Sequence, residues 1–510
     1  MKAFLEKFGF WGLILLVALS GSMLVFDDLM DDIGGFLKTD IQKIDRSGQM
    51  LKVAYLFKPI DLNPFSQDVS NRSRLVDVYE PLVGLDQNLA AQPVLAVTYG
   101  LRTDTEWQFK LRKGVKFHDL TDFDIEDVKY SLEMAKNSES MANLTDEIST
   151  IQSLDEDTLL IKTEKPDPLF LNKLSKLLIV PNGFVDYDKP IGTGPYKIIN
   201  SDNLGQIVYQ RFEEYWSNLP YFEKAEIVSI PGKNDRVESL INQNIDFLVN
   251  VPPDAVAELR ERGISIATIP SLEVGFAMFN FKDEHFANKN FRLAVAKALN
   301  KTAFLDLAFG FAKTLNQFVS NGVFGYNPDL KGIEFDLTSA EKEFSSIATT
   351  FEKIKIKFYY PENLKLLGQY FKEQLAQIGF DTELIALNDL DLQQKLKASE
   401  LGFYYLGWRH DSGDAIGFLR DILHTQKNGY GELNGMNYSN SQVDSLIEKS
   451  EINFDVQSRL HDMQEVMRIV VEEDVVGVPL FETESIFAFS SDLIFQPRVD
   501  SQVFLSKITK

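Results

Sequence analysis

Residues 354–385 constrain the fold most strongly, because they read as strand, amphipathic helix and strand in immediate succession. Ile354 to Tyr360 is strand-like, Leu364 to Ile378 carries apolar residues at helical spacing, and Asp381 to Ile385 is strand-like again. Such a βαβ unit joins two parallel strands, which cannot be linked by a tight hairpin. From Leu51 onward the chain keeps this character, mixing short apolar strands with amphipathic helices and showing no tandem repeat. Leu51 to Phe57 reads as a strand closed by Pro59 and Pro64, which remove donors from the ladder. Trp107 to Arg112 alternates apolar and polar residues, and Lys113-Gly114 turns it into Val115 to Phe117, a hairpin-like unit. Asp124 is placed to cap a helix reaching Ala135, and Phe291 to Phe309 is helical with an interruption at Asn300. Arg459 to Glu473 is a long amphipathic helix leading into the strand-like Val475 to Phe481. The mixture indicates an α/β or α+β body.

Residues 1–26 carry a different signal. Phe8 to Val25 is uncharged and mostly apolar, with Lys2 and Lys7 before it and Asp27, Asp28, Asp31 and Asp32 after it. About 18 such residues match the thickness of a bilayer core, and leading lysines keep their own side cytoplasmic, so the body lies outside. The segment is either a retained transmembrane anchor or a cleaved signal peptide, for which Ser20 and Ser22 are suitable small residues. Residues 27–50 are polar, include Gly34 and Gly35, and serve as a flexible linker.

Several chemistries are excluded. The absence of cysteine removes disulfides, thiolate metal sites, iron–sulfur clusters and cysteine nucleophiles. A net charge of -23 opposes nucleic-acid binding, whose affinity comes mostly from basic contacts to phosphate. The histidines, His118, His285, His410, His424 and His461, show no metal-ligand spacing, and no nucleophile elbow, phosphate loop or dinucleotide fingerprint is present. We therefore expect no enzyme, no cofactor and no metal.

A series of motifs then resembles the family 5 extracellular solute-binding proteins of ATP-driven importers, which include dipeptide- and oligopeptide-binding proteins. Trp107-Gln-Phe-Lys-Leu-Arg-Lys-Gly-Val-Lys-Phe-His-Asp resembles the family's W-x-F-x-L-R-x-G-V-x-F-H-D segment, and Phe123 to Leu132 resembles the helix after it. Ile191-Gly-Thr-Gly-Pro-Tyr-Lys is similar to the G-T-G-P-Y turn, and Arg211 to Trp216 to the R-x-x-x-Y-W that follows. Phe291 to Leu299 resembles the V-R-x-A-L-x-x-A-L helix, and Leu406-Gly-Trp-Arg-His-Asp the segment whose aspartate faces the ligand amine in peptide binders. Asn437-Tyr-Ser-Asn, Val443-Asp444 and Pro479-Leu480 complete the order. The departures are Asp119-Leu120 for the usual Asp-Gly, Gln243 to Asp246 for G-E-I-D, and Ser412-Gly-Asp where tyrosine and proline are usual. Leu19-Ser20-Gly21-Ser22 is similar to a lipobox whose cysteine is replaced by Ser22, so attachment would fall to the helix itself.

The resemblance implies an α/β, two-lobed periplasmic-binding-protein clamp of type II with an extra subdomain, plus the N-terminal transmembrane helix. Lobe 1 would comprise 51–82, 190–280 and 480–510, with the subdomain at 83–189, and lobe 2 would comprise 281–479. A monomer on the extracytoplasmic face, anchored by 8–25 or released by cleavage, would capture peptides and deliver them to a permease with its ATPase subunits. Alternatives on the same scaffold are a metal chelate, haem or an oligosaccharide as cargo, or a tethered sensor or chaperone without transport. The implied ligand-binding residues are Asp411, Trp408 and His410. A competing reading has Asp411 or Asp414 capping a helix over Ala415 to Leu423, Trp408 packing beside a strand, and His410 serving structure alone. Gly192, Gly194 and Pro195 are expected to fix a tight structural turn near the cleft, since the loop lacks the lysine and hydroxyl of a phosphate cradle.

Overall fold

The computed structural model describes residues 50–305, 310–347 and 353–510. The expected anchor at 8–25 and nearly all of the linker lie outside these residues. Among the described residues, no helix is long and apolar enough to cross a membrane. By internal contacts the chain forms two compact units, one containing 50–269 and 485–510 and the other 270–484. Among the described residues, both passages between them fall inside strands, Ser265–Phe279 and Gly477–Phe489.

In the first unit, Met50–Tyr55 is a central strand whose Leu51, Val53 and Ala54 are fully buried. That near-continuous apolar run suits a strand covered on both faces. It pairs in parallel with Lys224–Ser229 and Phe247–Val249, and the sheet continues antiparallel through Ile207–Arg211 to Tyr196–Ser201. A separate antiparallel sheet takes Ala96–Thr103, Glu106–Leu111, Thr158–Thr163 and Ile148–Ser153 in that order. The hairpin expected at Trp107 to Phe117 is therefore corrected. Gly114 turns with φ of 73°, but Val115 and Phe117 bond back to Phe123 and Thr121 rather than to the preceding strand. Beside them, helix Ile125–Lys136 begins with the expected Asp124 cap, and Asp127 returns the bond to complete a capping box.

The second unit contains the expected βαβ arrangement. Ile354–Pro361 and Phe380–Leu387 run parallel, joined by helix Lys365–Ala376. The sheet continues in parallel to Phe403–Arg409 and then antiparallel to residues 273–279. Its core is dense in phenylalanine. Phe358 stacks on Phe371 at 4.2 Å, and Phe304 on Phe481 at 4.7 Å. The helix expected at 291–309 is divided into Lys289–Ala298 and Lys301–Phe304, where the Asn300 side chain accepts from Ala303 N–H and restarts the helix.

Residues 270–280 and 480–484 group with this second unit by internal contacts, through strand pairing. Residues 273–279 bond to 403–409, and Phe481 to Thr483 bond to the strand Ala312–Thr314.

Candidate functional site

The strand Phe403–Arg409 delivers the chemistry-bearing segment Trp408 to Asp414 at its end. Its first six residues are all buried, so period-2 alternation gives no solvent face there. Trp408 is buried edge-to-face against Phe418 at 5.7 Å. His410 is 1% exposed, and its Nε2 lies 3.1 Å from the Phe318 carbonyl oxygen. Burial holds the ring's pKa down at about 4, so it is neutral at ordinary pH. Both expected ligand residues, Trp408 and His410, are thus buried within the unit, on a strand covered on both faces.

Asp411 is different. About a quarter of its side chain is open to solvent, and Oδ1 accepts from Arg409 Nε at 2.9 Å. The capping role falls to Asp414, whose Oδ1 accepts from Ile416 N–H at 2.9 Å. Asp414 also forms a two-point ion pair with Arg459, at 2.5 Å and 3.0 Å, with both side chains almost fully buried. The buried structural pairing thus falls to Asp414, while Asp411 stays partly open.

In the first unit, Gly192 and Gly194 allow a close approach of two backbones. A Cβ on Gly192 would lie 2.0 Å from Val78 O, and one on Gly194 would lie 2.3 Å from Asp77 O. Gly194 N–H donates to Val78 O at 2.9 Å, and Pro195 O accepts from Phe212 N–H at 2.9 Å. His118 clamps the turn. Its Nδ1 accepts from Gly192 N–H at 3.2 Å and its Nε2 bonds to Gly194 O at 3.0 Å, which assigns the Nε2–H tautomer. Burial drives that ring to about 4 as well. Thr193 donates to Glu80, which also accepts from Tyr215 and Trp216 at 2.8 and 2.9 Å. Burial pushes the Glu80 carboxyl up to about 7 despite these donors. Nothing in this arrangement is open for a phosphate, since the turn's polar groups are spent on the protein.

A family model for the bacterial extracellular solute-binding proteins, family 5, matches residues 90–430. The chain belongs to this family. As a family 5 solute-binding protein it captures a solute outside the cytoplasm, works with the components of an ATP-driven importer, and is not an enzyme. The glutathione-binding protein GsiB of Salmonella paratyphi A is 25% identical over 455 residues, covering 85% of this chain and 88% of that protein. NikA from Brucella suis, solved with Fe(III)-EDTA, is 19% identical with a TM-score of 0.80, covering 90% of this chain and 99% of that one. AppA from Bacillus subtilis, an oligopeptide-binding protein solved with a nonapeptide, is 20% identical with a TM-score of 0.72, covering 91% and 99%. These likenesses establish the α/β two-lobed binding-protein fold.

Sequence reasoning did not find Arg409 or Arg459 as partners of this family 5 protein's two aspartates. Arg459 is 45 residues from Asp414 and sits on a helix whose polar residues all read alike. Arg409 lies two residues from Asp411, a spacing that is uninformative in a strand end unless the following turn is known.

Buried neutral histidine makes a pH prediction. Above 6.5 the His410 ring is neutral in both folded and unfolded chains and costs nothing. As pH falls the unfolded chain takes the proton first, so stability is lost between 6.5 and about 4. The buried carboxyls of Asp77 and Glu80, pushed up to about 6 and 7, act in the opposite sense. A comparison with His410→Gln isolates the ring. The stability difference between parent and variant should move by about 2 kcal/mol against the parent from pH 6.5 to roughly 4.5. Denaturant melts at the two pH values measure it, and an unchanged difference would show that the ring is not buried neutral.

Proposed function

We propose that this solute-binding protein captures peptides, with the carboxylate of Asp411 receiving the free amino terminus, and delivers them to a membrane permease. The supporting observation is the placement of Asp411. It alone among the ligand residues expected from sequence is partly open, at the end of a buried strand, in the segment that resembles the amine-facing one of peptide binders. The name of the glutathione-binding relative and the nonapeptide in AppA agree with such a cargo. An anionic chelate like that held by NikA is disfavoured by an accessible carboxylate on a chain of net charge -23. The same reading has residues 8–25 tether or export the body and residues 27–50 space it from the membrane, in keeping with their apolar and polar composition.

Calorimetric titration with free and N-acetylated alanine peptides tests the assignment. Because Asp411 is partly solvated and already paired, Asp411→Asn is expected to weaken free-amine peptides about tenfold rather than the hundredfold of a fully buried pair. Acetylated peptides should be unaffected. Equal affinity of parent and variant for the free-amine peptides would remove Asp411 from the site.

A further inference from the structure

We infer that Glu273, acting through Arg409, sets the charge of the anchor so that it accepts one positive group of the solute at Asp411. The inference rests on the reading of Asp411 as that anchor. Arg409 stands directly opposite Glu273 in the antiparallel ladder. Residues paired in this way project from the same face of a sheet with Cβ atoms about 5 Å apart. Glu273 is 5% exposed, and its N–H donates to Ser271 Oγ at 3.3 Å, while Ser271 Oγ meets Thr483 Oγ1 at 2.7 Å. Burial, and secondarily the Glu273 charge, raises the Tyr405 hydroxyl far above its usual range. On its other side Arg409 donates to Asp411 at 2.9 Å.

One guanidinium is therefore bonded to a partly open carboxylate and shares a sheet face with a buried one, and the three groups together carry one negative charge. A solute ammonium at Asp411 completes an alternating row of charges. If Glu273 were neutral, Arg409 would neutralise Asp411 alone, and an arriving ammonium would meet a pair that is already satisfied. An anionic solute group is repelled in the native arrangement and tolerated in the neutralised one. Glu273 does not touch the solute in this scheme. It is a positioning residue, and Arg409 is the group through which it acts.

The test uses the full chain and calorimetry with tri- to pentaalanine and the N-acetylated forms. Glu273→Gln keeps the side chain's shape and is expected to weaken the free-amine peptides about tenfold while leaving the acetylated ones unchanged. Adding Arg409→Met to that variant removes the competing cation and should restore free-amine affinity to within about threefold of the parent. A purely structural role for Glu273 would weaken both peptide classes alike and would not be rescued by the second change. Either of those results overturns the inference. Free-amine binding that survives Glu273→Gln but is lost in Asp411→Asn overturns it while leaving the anchor in place. Failure of the parent to bind any free-amine peptide overturns the anchor and the inference together.

Discussion

Replacing Arg459 by leucine is expected to cost the second unit about 3–5 kcal/mol, because it leaves the Asp414 carboxylate charged, buried and without its partner. Arg459 Nε also donates to Ser450 O at 2.9 Å, so a helix-to-helix carbonyl loses its donor in the same step. The guanidinium lies over the Phe324 ring at 5.0 Å, and that contact disappears too. Asp414→Ala removes the other partner and the cap on Ile416, and should be similarly damaging. Combining the two changes removes both charges at once. The double variant should then be more stable than the sum of the single losses allows, by an interaction term of about 2 kcal/mol or more. Urea denaturation of the four proteins measures this cycle. Additive losses would mean that the pair is not buried as a unit.

Gly192→Ala should be comparably severe for the first unit. The added Cβ would sit 2.0 Å from Val78 O, where no flexible side chain is available to move aside. The backbone must part, which breaks Gly194 N–H to Val78 O and disturbs the His118 clamp on both glycines. Tight overpacking with loss of such bonds costs about 3 kcal/mol. Gly114→Ala is the matching control, since a Cβ there meets nothing within 4 Å and the cost is confined to its φ of 73°. Thermal melts that place Gly192→Ala no lower than Gly114→Ala would show that the close approach is not rigid.

The fold was legible where local patterns and final pairings coincide. Residues 354–385 form their own βαβ unit, Asp124 and Asn300 cap helices through their own first turns, and none of these depends on distant residues. The strand at Trp107 was legible but its partners were not. Lys113-Gly114 has the chemistry of a hairpin turn, yet the ladder is made with residues 96–103 and 158–163, a choice fixed by long-range packing. At the site, the motif from Leu406 to Asp411 gave the segment but not the direction of each side chain. Alternation along a strand buried on both faces does not separate Trp408 and His410 inside from Asp411 outside. Which of two aspartates three residues apart would take the buried arginine was likewise settled only by the position of the helix Val456–Arg468.

The most direct measurement is mass spectrometry of the small molecules released when the purified full chain is denatured. Peptides with free amino termini, present in the released material and rebinding to the refolded protein, are the result expected of a peptide-capturing clamp. Release of metal chelates or sugars alone, with no rebinding of any peptide, would contradict it.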